Sequence, residues 1–360
     1  MNASLPLTTD HKPGLLGVPP ETLRAWLEAR GEKPWRAAAL RRWILVAGAE
    51  SFESMTDVSK RLRADLASEF APLATEVVRH QISEDDTHKL LLRLSDGHLI
   101  ECVLIQDEGR RTACISTQVG CAMGCVFCAS GLDGVERNLT TSEMLEQLVR
   151  LRNLSGPGGA ASQRLTHIVV MGMGEPLANL DNLLAALEVA TSPLGLGIGA
   201  RHVTISTVGL PAKIRRLAEL GKQYHLAVSL HAPDEELRSR IVPTNEKTGL
   251  SDILAAADYF LEKTGRQVTF EYVLLHDVND RPSHARALAR LLAGRRAHVN
   301  VIPFNDVPGL PYQRPSPDAL AEFLEPLHEA GISVKVRKRK GSRIDAACGQ
   351  LRRNATQVLR

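Results

Sequence analysis

Nowhere in this 360-residue chain does an uninterrupted apolar run approach the ~18 residues that a membrane-spanning helix needs. The opening, MNASLPLTTDHKPG, lacks both the basic start and the continuous apolar stretch of a secretory signal. Charge of one sign is not in excess either. Lys plus Arg (44) against Asp plus Glu (41) leaves +3, which by itself says nothing about nucleic acid. Cysteine is sparse, six residues with a tight cluster among them, and nothing in that usage suggests secretion. These absences disfavour a membrane protein and a disulfide-stapled secreted one. They leave a globular protein expected in a reducing, cytoplasmic compartment, where such cysteine clusters usually bind metal. The length allows one core of about 250 residues and a smaller accessory module.

The pattern along the chain divides it. Residues 1–15 read as a loose tail. ETLRAWLEARGEKPWRAAALRRWILVA (21–47) predicts two amphipathic helices broken at Gly31 and Pro34, and a third helix covers 57–68. Residues 72–105 are strand-like, with two strands meeting at the Asp96-Gly97 turn. After residue 110, β-branched runs at 111–117, 166–171, 201–206, 224–230, 268–275, 298–303 and 332–337 alternate with amphipathic helices. Repeated βα units predict a parallel sheet, either open or wholly or partly closed into a barrel. Gly174, Glu175, Ser206, Ser229, His231 and Asn305 fall at or after strand ends, where a barrel enzyme carries its site.

The cysteines Cys121, Cys125 and Cys128, in CAMGCVFC, have spacing C-x3-C-x2-C. Structural zinc usually takes four ligands in separated pairs, and this run is neither. A cubane iron–sulfur cluster held by three thiolates would leave one iron open. A buried apolar strand is the blander reading, but Gly120 and Gly124 make the segment a loop.

With Phe127 before its last cysteine, this motif resembles the signature of the radical S-adenosylmethionine (SAM) superfamily. MGMGEP (171–176) is similar to the superfamily's element that contacts the methionine amino group. The blocks TACISTQVGC, MGMGEPLANL, VTISTVGL, VSLHAP, EYVLLHDVND, VNVIPFN and IDAACGQL, in that order, resemble the radical SAM adenine methyltransferases of ribosomal and transfer RNA. The resemblance runs from about residue 15 to 352. It implies an α/β fold, a partial (β/α)6-type barrel with a small N-terminal helical accessory domain. The implied division is a tail at 1–15, helical domain at 16–70, antiparallel extension at 71–109, barrel at 110–345 and C-terminal segment at 346–360.

The resemblance also implies roles. Cys121, Cys125 and Cys128 would hold one [4Fe-4S] cluster. Gly174, Glu175, Ser206, Ser229, His231 and Asn305 would hold SAM, used twice per turnover. Cys348 would take a methyl group from the first SAM and deliver it to adenine by radical chemistry. Cys114 would release the product through a transient disulfide with Cys348, and Glu101 would serve as general base. Cys102 is expected only to pack.

The implied partners are 23S rRNA, tRNA and a flavodoxin-type electron donor, with the chain acting as a monomer and no membrane. SVKVRKRKGSR (333–343) is a solvated face or a phosphate-binding surface, and it brings positive charge near Cys348. Arg110 and Arg111 lie near Cys114 in sequence. Trp35 and Trp43 stack bases or, as their helical spacing favours, pack in the core. Pro176 in MGMGEPL resembles the branch of the family that methylates C2 rather than C8 of adenine, which implies C2 as the expected position. Besides a C8-adenine 23S rRNA methyltransferase of the antibiotic-resistance type, a non-catalytic iron–sulfur or zinc RNA-binding protein and a radical SAM enzyme for a small molecule are the alternatives. The Cys114–Cys348 pair disfavours the RNA-binding protein and the basic segment the small-molecule enzyme.

Overall fold

The computed structural model describes residues 12–154, 164–244 and 248–351. Its first elements are helices α1 (Pro20–Glu28), α2 (Arg36–Leu45) and α3 (Lys60–Glu69), the last started by Ser59, whose hydroxyl accepts from the Leu62 N–H. Leu23, Leu27, Leu40, Ile44, Leu62 and Leu66 turn inward from these helices and are buried. Of the expected loose tail, residues 1–11 lie outside the described residues and 12–15 are tied down. Leu15 N–H donates to Ala71 O at 2.8 Å, Ala71 N–H to Pro13 O at 3.0 Å, and Leu15 is fully buried. Trp43 packs against the core and donates to Asp57 at 2.6 Å. Trp35 overturns the expectation of a core residue, standing 62% exposed just ahead of α2.

Strands β1 (Glu76–Ile82), β2 (His88–Arg93), β3 (Leu99–Asp107) and β4 (Arg110–Cys114) run as an antiparallel meander. A short antiparallel pair, β5 (Gln118–Gly120) and β6 (Val135–Asn138), follows, then α4 (Thr141–Asn153), β7 (His167–Val170) and α5 (Leu180–Thr191). The chain continues through β8 (Val203–Thr207), α6 (Pro211–Glu219), β9 (His225–Ser229), α7 (Glu235–Ile241) and α8 (Leu250–Thr264). It closes with β10 (Val268–Leu274), α9 (Pro282–Leu292), β11 (Ala297–Pro303), α10 (Pro317–Glu329) and β12 (Ser333–Val336).

From β4 through β7 to β12 the strands pair in parallel, each with the next. Six helix-bearing crossovers therefore link the run, and β1 and β12 stand at opposite ends of the ten-stranded sheet. This is a partly closed barrel of six βα units with a final strand. The short β5, β6 and α7 are elements that periodicity did not reveal.

Helix α4 joins the two parts. Thr140 and Glu143 form a reciprocal capping box at its start. Its buried Glu146 accepts from the backbone N–H groups of Ala74 (3.0 Å) and Thr75 (2.7 Å). Asn153 donates to Gly48 O, and one apolar core runs unbroken from the first helices into the barrel. Among the described residues no helix is long and apolar enough to cross a membrane.

Candidate active site

Cys121, Cys125 and Cys128 occupy a loop pinched at its base by β5 and β6. Cys121 N–H donates to Gly134 O at 2.9 Å. Gly120 makes the pinch possible: its φ is +77°, and a Cβ there would stand 2.0 Å from Gly134 O. A second apolar cluster, containing Phe127, Ala232, Leu237, Leu275 and Phe304, surrounds the loop at the C-terminal ends of the parallel strands.

All six cysteines are free thiols. Burial is the main influence on the three loop thiols, raising Cys121 to about 12, Cys125 well above the usual value, and Cys128 upward. Mutual repulsion adds to this at Cys125, whereas Met123 and Gly174 N–H groups favour the Cys121 thiolate. Three free thiols, Cys125 buried and Cys121 and Cys128 half-buried, which repel as thiolates and have N–H groups aimed at Cys121 and Cys128, suit a cationic iron–sulfur centre. Among the described residues no three His, Cys, Asp or Glu side chains are gathered as around one metal ion.

Beside the loop stands the MGMGEP turn. Gly174 has φ +101°, and a Cβ would come within 2.6 to 2.8 Å of Gln118. Glu175 is buried, accepts from Leu177 N–H and Val208 N–H at 2.9 Å each, and is raised in pKa chiefly by burial. His231, at φ +61°, lies edge-on to Phe127 with centroids 4.8 Å apart. Its Nδ1 accepts from Val273 N–H at 3.1 Å, and burial, then Arg238, depresses its pKa to about 3. The ring is therefore neutral, with Nε2 left to donate. Ser206 and Ser229 are half-buried on the neighbouring strands β8 and β9.

A cavity of about 1080 Å³ lies within the barrel, and Cys114, Cys348 and Asn305 line it together. Cys114 ends β4, opposite Val103 of β3 and Val169 of β7. Cys348 arrives from the other end of the chain on a clamped segment. Asn305 donates to Cys348 O (3.1 Å), Ala129 N–H to Gly349 O (2.8 Å), Ser130 to Leu351 O (2.7 Å) and Gln350 to Asp306 O (2.7 Å). The cysteine loop and the loop after β11 thus fix the segment from two sides. The rest of the 346–360 segment, residues 352–360, falls outside the described residues.

Burial first, then Cys348, raises the Cys114 pKa to about 12. Cys102 is fully buried, as expected of a packing residue.

Glu101 sits away from that cavity lining. It forms a buried ion pair with Lys89 Nζ at 2.8 Å, and the same ammonium donates to Asp345 O at 3.3 Å. The basic run also differs from a plain phosphate surface. Lys340 pairs with Asp107, Arg343 with Glu84 and Arg339 with Asp306; Lys335, Arg337 and Lys338, which line the cavity together with Arg339 and Lys340, have no such ion pairs among the described residues. Arg111, expected on the RNA path, is buried and donates to Leu154 O, while Arg110 does line the cavity.

Sequence reasoning missed several side chains. Arg238 donates to the carbonyls of Leu230 (3.1 Å), Ser229 (3.2 Å) and Val208 (2.5 Å). Asn279 donates to His231 O (2.8 Å) and Val273 O (2.7 Å). Glu271, Asn300 and Arg337 sit inside the barrel. The available signal was polar side chains embedded in apolar strands, VTFEYVL and AHVNVIP.

Comparison with known proteins extends this picture. A family model described as the radical SAM superfamily matches residues 115–289, and one described as the ribosomal RNA large subunit methyltransferase N-terminal domain matches residues 14–71. A protein of Rhodopirellula baltica named probable dual-specificity RNA methyltransferase RlmN is 54% identical, over 99% of this chain and 97% of its own. A protein of the same name from Bacillus licheniformis is 43% identical over 96% and 95%. The crystal structure of a radical SAM methyltransferase from Sphaerobacter thermophilus matches with a TM-score of 0.89 and 42% identity, covering 95% of this chain and all of that one.

Proposed function

The chain belongs to the RlmN family of radical SAM RNA methyltransferases, and from that premise we propose that it methylates C2 of adenine in 23S rRNA and at adenosine 37 of tRNA, through Cys348 and Cys114. The observation that carries the assignment of residues is the shared cavity. Two free cysteines far apart in the sequence, Cys114 and Cys348, line one cavity. Neither belongs to the cysteine loop's set of three, and thiol–disulfide exchange requires two sulfurs that can meet.

Cys121, Cys125 and Cys128 would hold the [4Fe-4S] cluster. When bound, the cluster supplies the electron that cleaves SAM to a 5′-deoxyadenosyl radical. Around it the chain supplies positioning. Gly174 lets the backbone approach SAM closely, the Glu175 carboxylate receives its ammonium, and Ser206, Ser229, neutral His231 and Asn305 hold the remainder. The apolar collar around Phe127 keeps water from a radical that would otherwise be quenched. Cys348 presents its sulfur to accept the methyl group, and Cys114 attacks that sulfur later to free the product.

Glu101 accepts the proton lost from the adenine carbon. For this it must part from Lys89, whose ammonium then remains with Asp345 O on the segment that carries Cys348. Lys335 and Lys338 at the cavity supply charge for the RNA backbone. A flavodoxin-type donor, a monomeric state and a cytoplasmic setting complete the reading.

The test is anaerobic reaction of reconstituted protein with SAM, reductant and unmodified rRNA fragment or tRNA, followed by nucleoside mass spectrometry. The expected product is 2-methyladenosine from both RNAs. A product of 8-methyladenosine would reassign the position, and SAM cleavage without a methylated base would overturn the substrate.

A further inference from the structure

The barrel interior holds a cation that the roles above leave unused. Arg337 directly follows β12, where its N–H donates to Val301 O at 2.8 Å. Its guanidinium lines the cavity with Cys114 and Cys348. The residue is half-buried. Its hydrogen bond runs from Nη1 to the thioether sulfur of Met171 at 3.6 Å, and a thioether is a weak acceptor.

Among the described residues no carboxylate forms an ion pair with it. Glu271, the carboxyl nearest in effect, accepts instead from Asn300 Nδ2 at 2.8 Å. A guanidinium stays protonated, so this charge needs an anion. The groups that act on it are Cys348 first, then Glu271 of β10 and Cys114 of β4. The two thiols act against each other, since a charged Cys348 disfavours the Cys114 thiolate. One cation therefore shares a cavity with two thiols, and a Cys348 thiolate would repel a Cys114 thiolate.

We propose that Arg337 is the shared counter-ion of the two cysteines and serves one thiolate at a time, Cys348 until its sulfur is methylated and Cys114 afterwards. This rests on the reading in which Cys348 carries the methyl group. The Cys348 proton leaves to solvent, and the thiolate electron pair forms the new S–CH₃ bond. The methyl's bond to the SAM sulfonium breaks with its pair remaining on that sulfur, giving neutral S-adenosylhomocysteine and a neutral thioether. The anion at Cys348 has then disappeared. Arg337 has lost one partner and Cys114 its like-charged neighbour, and both changes favour the Cys114 thiolate. The nucleophile for release thus becomes available only after its target sulfur has been loaded.

The test is anaerobic iodoacetamide labelling of full-length, cluster-loaded protein with a free Cys348 thiol, quantified by peptide mass spectrometry at Cys348 and Cys114. Labelling is followed from about pH 6 to 10, a range that brackets the ~8.5 of a free thiol. Arg337→Gln is expected to slow labelling of Cys348 at neutral pH roughly tenfold, with Arg337→Lys restoring most of the rate. Cys348→Ala is expected to speed labelling of Cys114 severalfold, and Arg337→Gln to remove that gain.

Superimposable Cys348 profiles for wild type and Arg337→Gln, or a Cys114 rate unmoved by Cys348→Ala, would overturn the proposal. If Arg337→Gln fails to fold, Arg337→Met supplies the uncharged variant in both comparisons. Incubation with SAM reports separately on the underlying reading. Absence of a methyl group on Cys348 would sink that reading, while the labelling rates still judge the counter-ion.

Discussion

Replacing Arg238 with Met would unfasten the strand ends that present Ser229 and His231. Arg238 is almost wholly buried, and burial first of all lowers its pKa to about 10, so it enters the core as a cation. Its hydrogen bonds to Leu230 O, Ser229 O and Val208 O tie β9 to the turn after β8. Methionine fills similar volume but leaves those three carbonyls without this donor. A hydrogen bond to a charged group contributes about 1.5–3 kcal/mol, and such terms do not add fully, so Arg238→Met should cost about 4 kcal/mol. That is a large part of the ~5–15 kcal/mol by which domains are usually stable. Urea unfolding followed by circular dichroism reads it as a lower midpoint at unchanged slope. The same variant should bind SAM more weakly, because His231 and Ser229 lose their fixed backbone. A midpoint within about 1 kcal/mol of wild type would refute the reasoning, since it would mean that water or a shifted backbone satisfies those carbonyls at little cost.

At Gly174, alanine must push against Gln118 while holding φ +101°, so Gly174→Ala should weaken SAM binding at least tenfold, measured by equilibrium dialysis. An unchanged Kd would show that the turn is not a binding element. His231 is buried with its pKa depressed from 6.5 to about 3. Between those values the unfolded chain takes up a proton that the folded one refuses. Its share of stability is therefore complete above about pH 6.5 and falls by ~1.4 kcal/mol for each pH unit below, down to about 3. His231→Gln should flatten that part of the denaturation profile against pH, and an unaltered profile would count against a buried neutral ring. Trp35→Ala should leave stability within about 0.5 kcal/mol because the ring is exposed, and should weaken RNA binding by about 1–3 kcal/mol if a base stacks on it. Filter binding with equal affinity for both proteins would remove Trp35 from the interface.

The repeating architecture was legible because periodicity reports it directly. Each of the seven parallel strands falls at one of the β-branched runs, and a helix lies between each consecutive pair, as the alternation predicts. Trp35 was misjudged for a related reason. Helical spacing tells which residues share a face, but the break at Gly31 and Pro34 resets the phase, and Trp35 precedes the first turn of α2. The motif residues were legible through resemblance and through their position at strand ends. Arg238, Asn279 and Lys89 were not, because each acts through contacts between segments distant in sequence. A buried cation on the seven-residue α7 looks like a surface charge until β8 and β9 are placed beside it.

The same limit applies with greatest force to Cys348. In sequence it stands alone, and only tertiary contacts determine what its sulfur faces. The clamp draws on three separate regions: Ala129 and Ser130 from the cysteine loop, Asn305 and Asp306 after β11, and Lys89 on β2. Because Lys89 also holds Glu101, one ammonium joins the proposed base to the segment that bears the methyl carrier. Movement of that segment and release of the Glu101 carboxylate are then physically coupled. If Asp345 withdraws, Lys89 loses an acceptor and is held more firmly by Glu101. If Lys89 follows Asp345, the carboxylate is freed. Through Lys89 the antiparallel strand β2 therefore contacts both Glu101 and the segment that bears Cys348, although it lies outside the run of parallel strands and outside the residues 115–289 that match the radical SAM model.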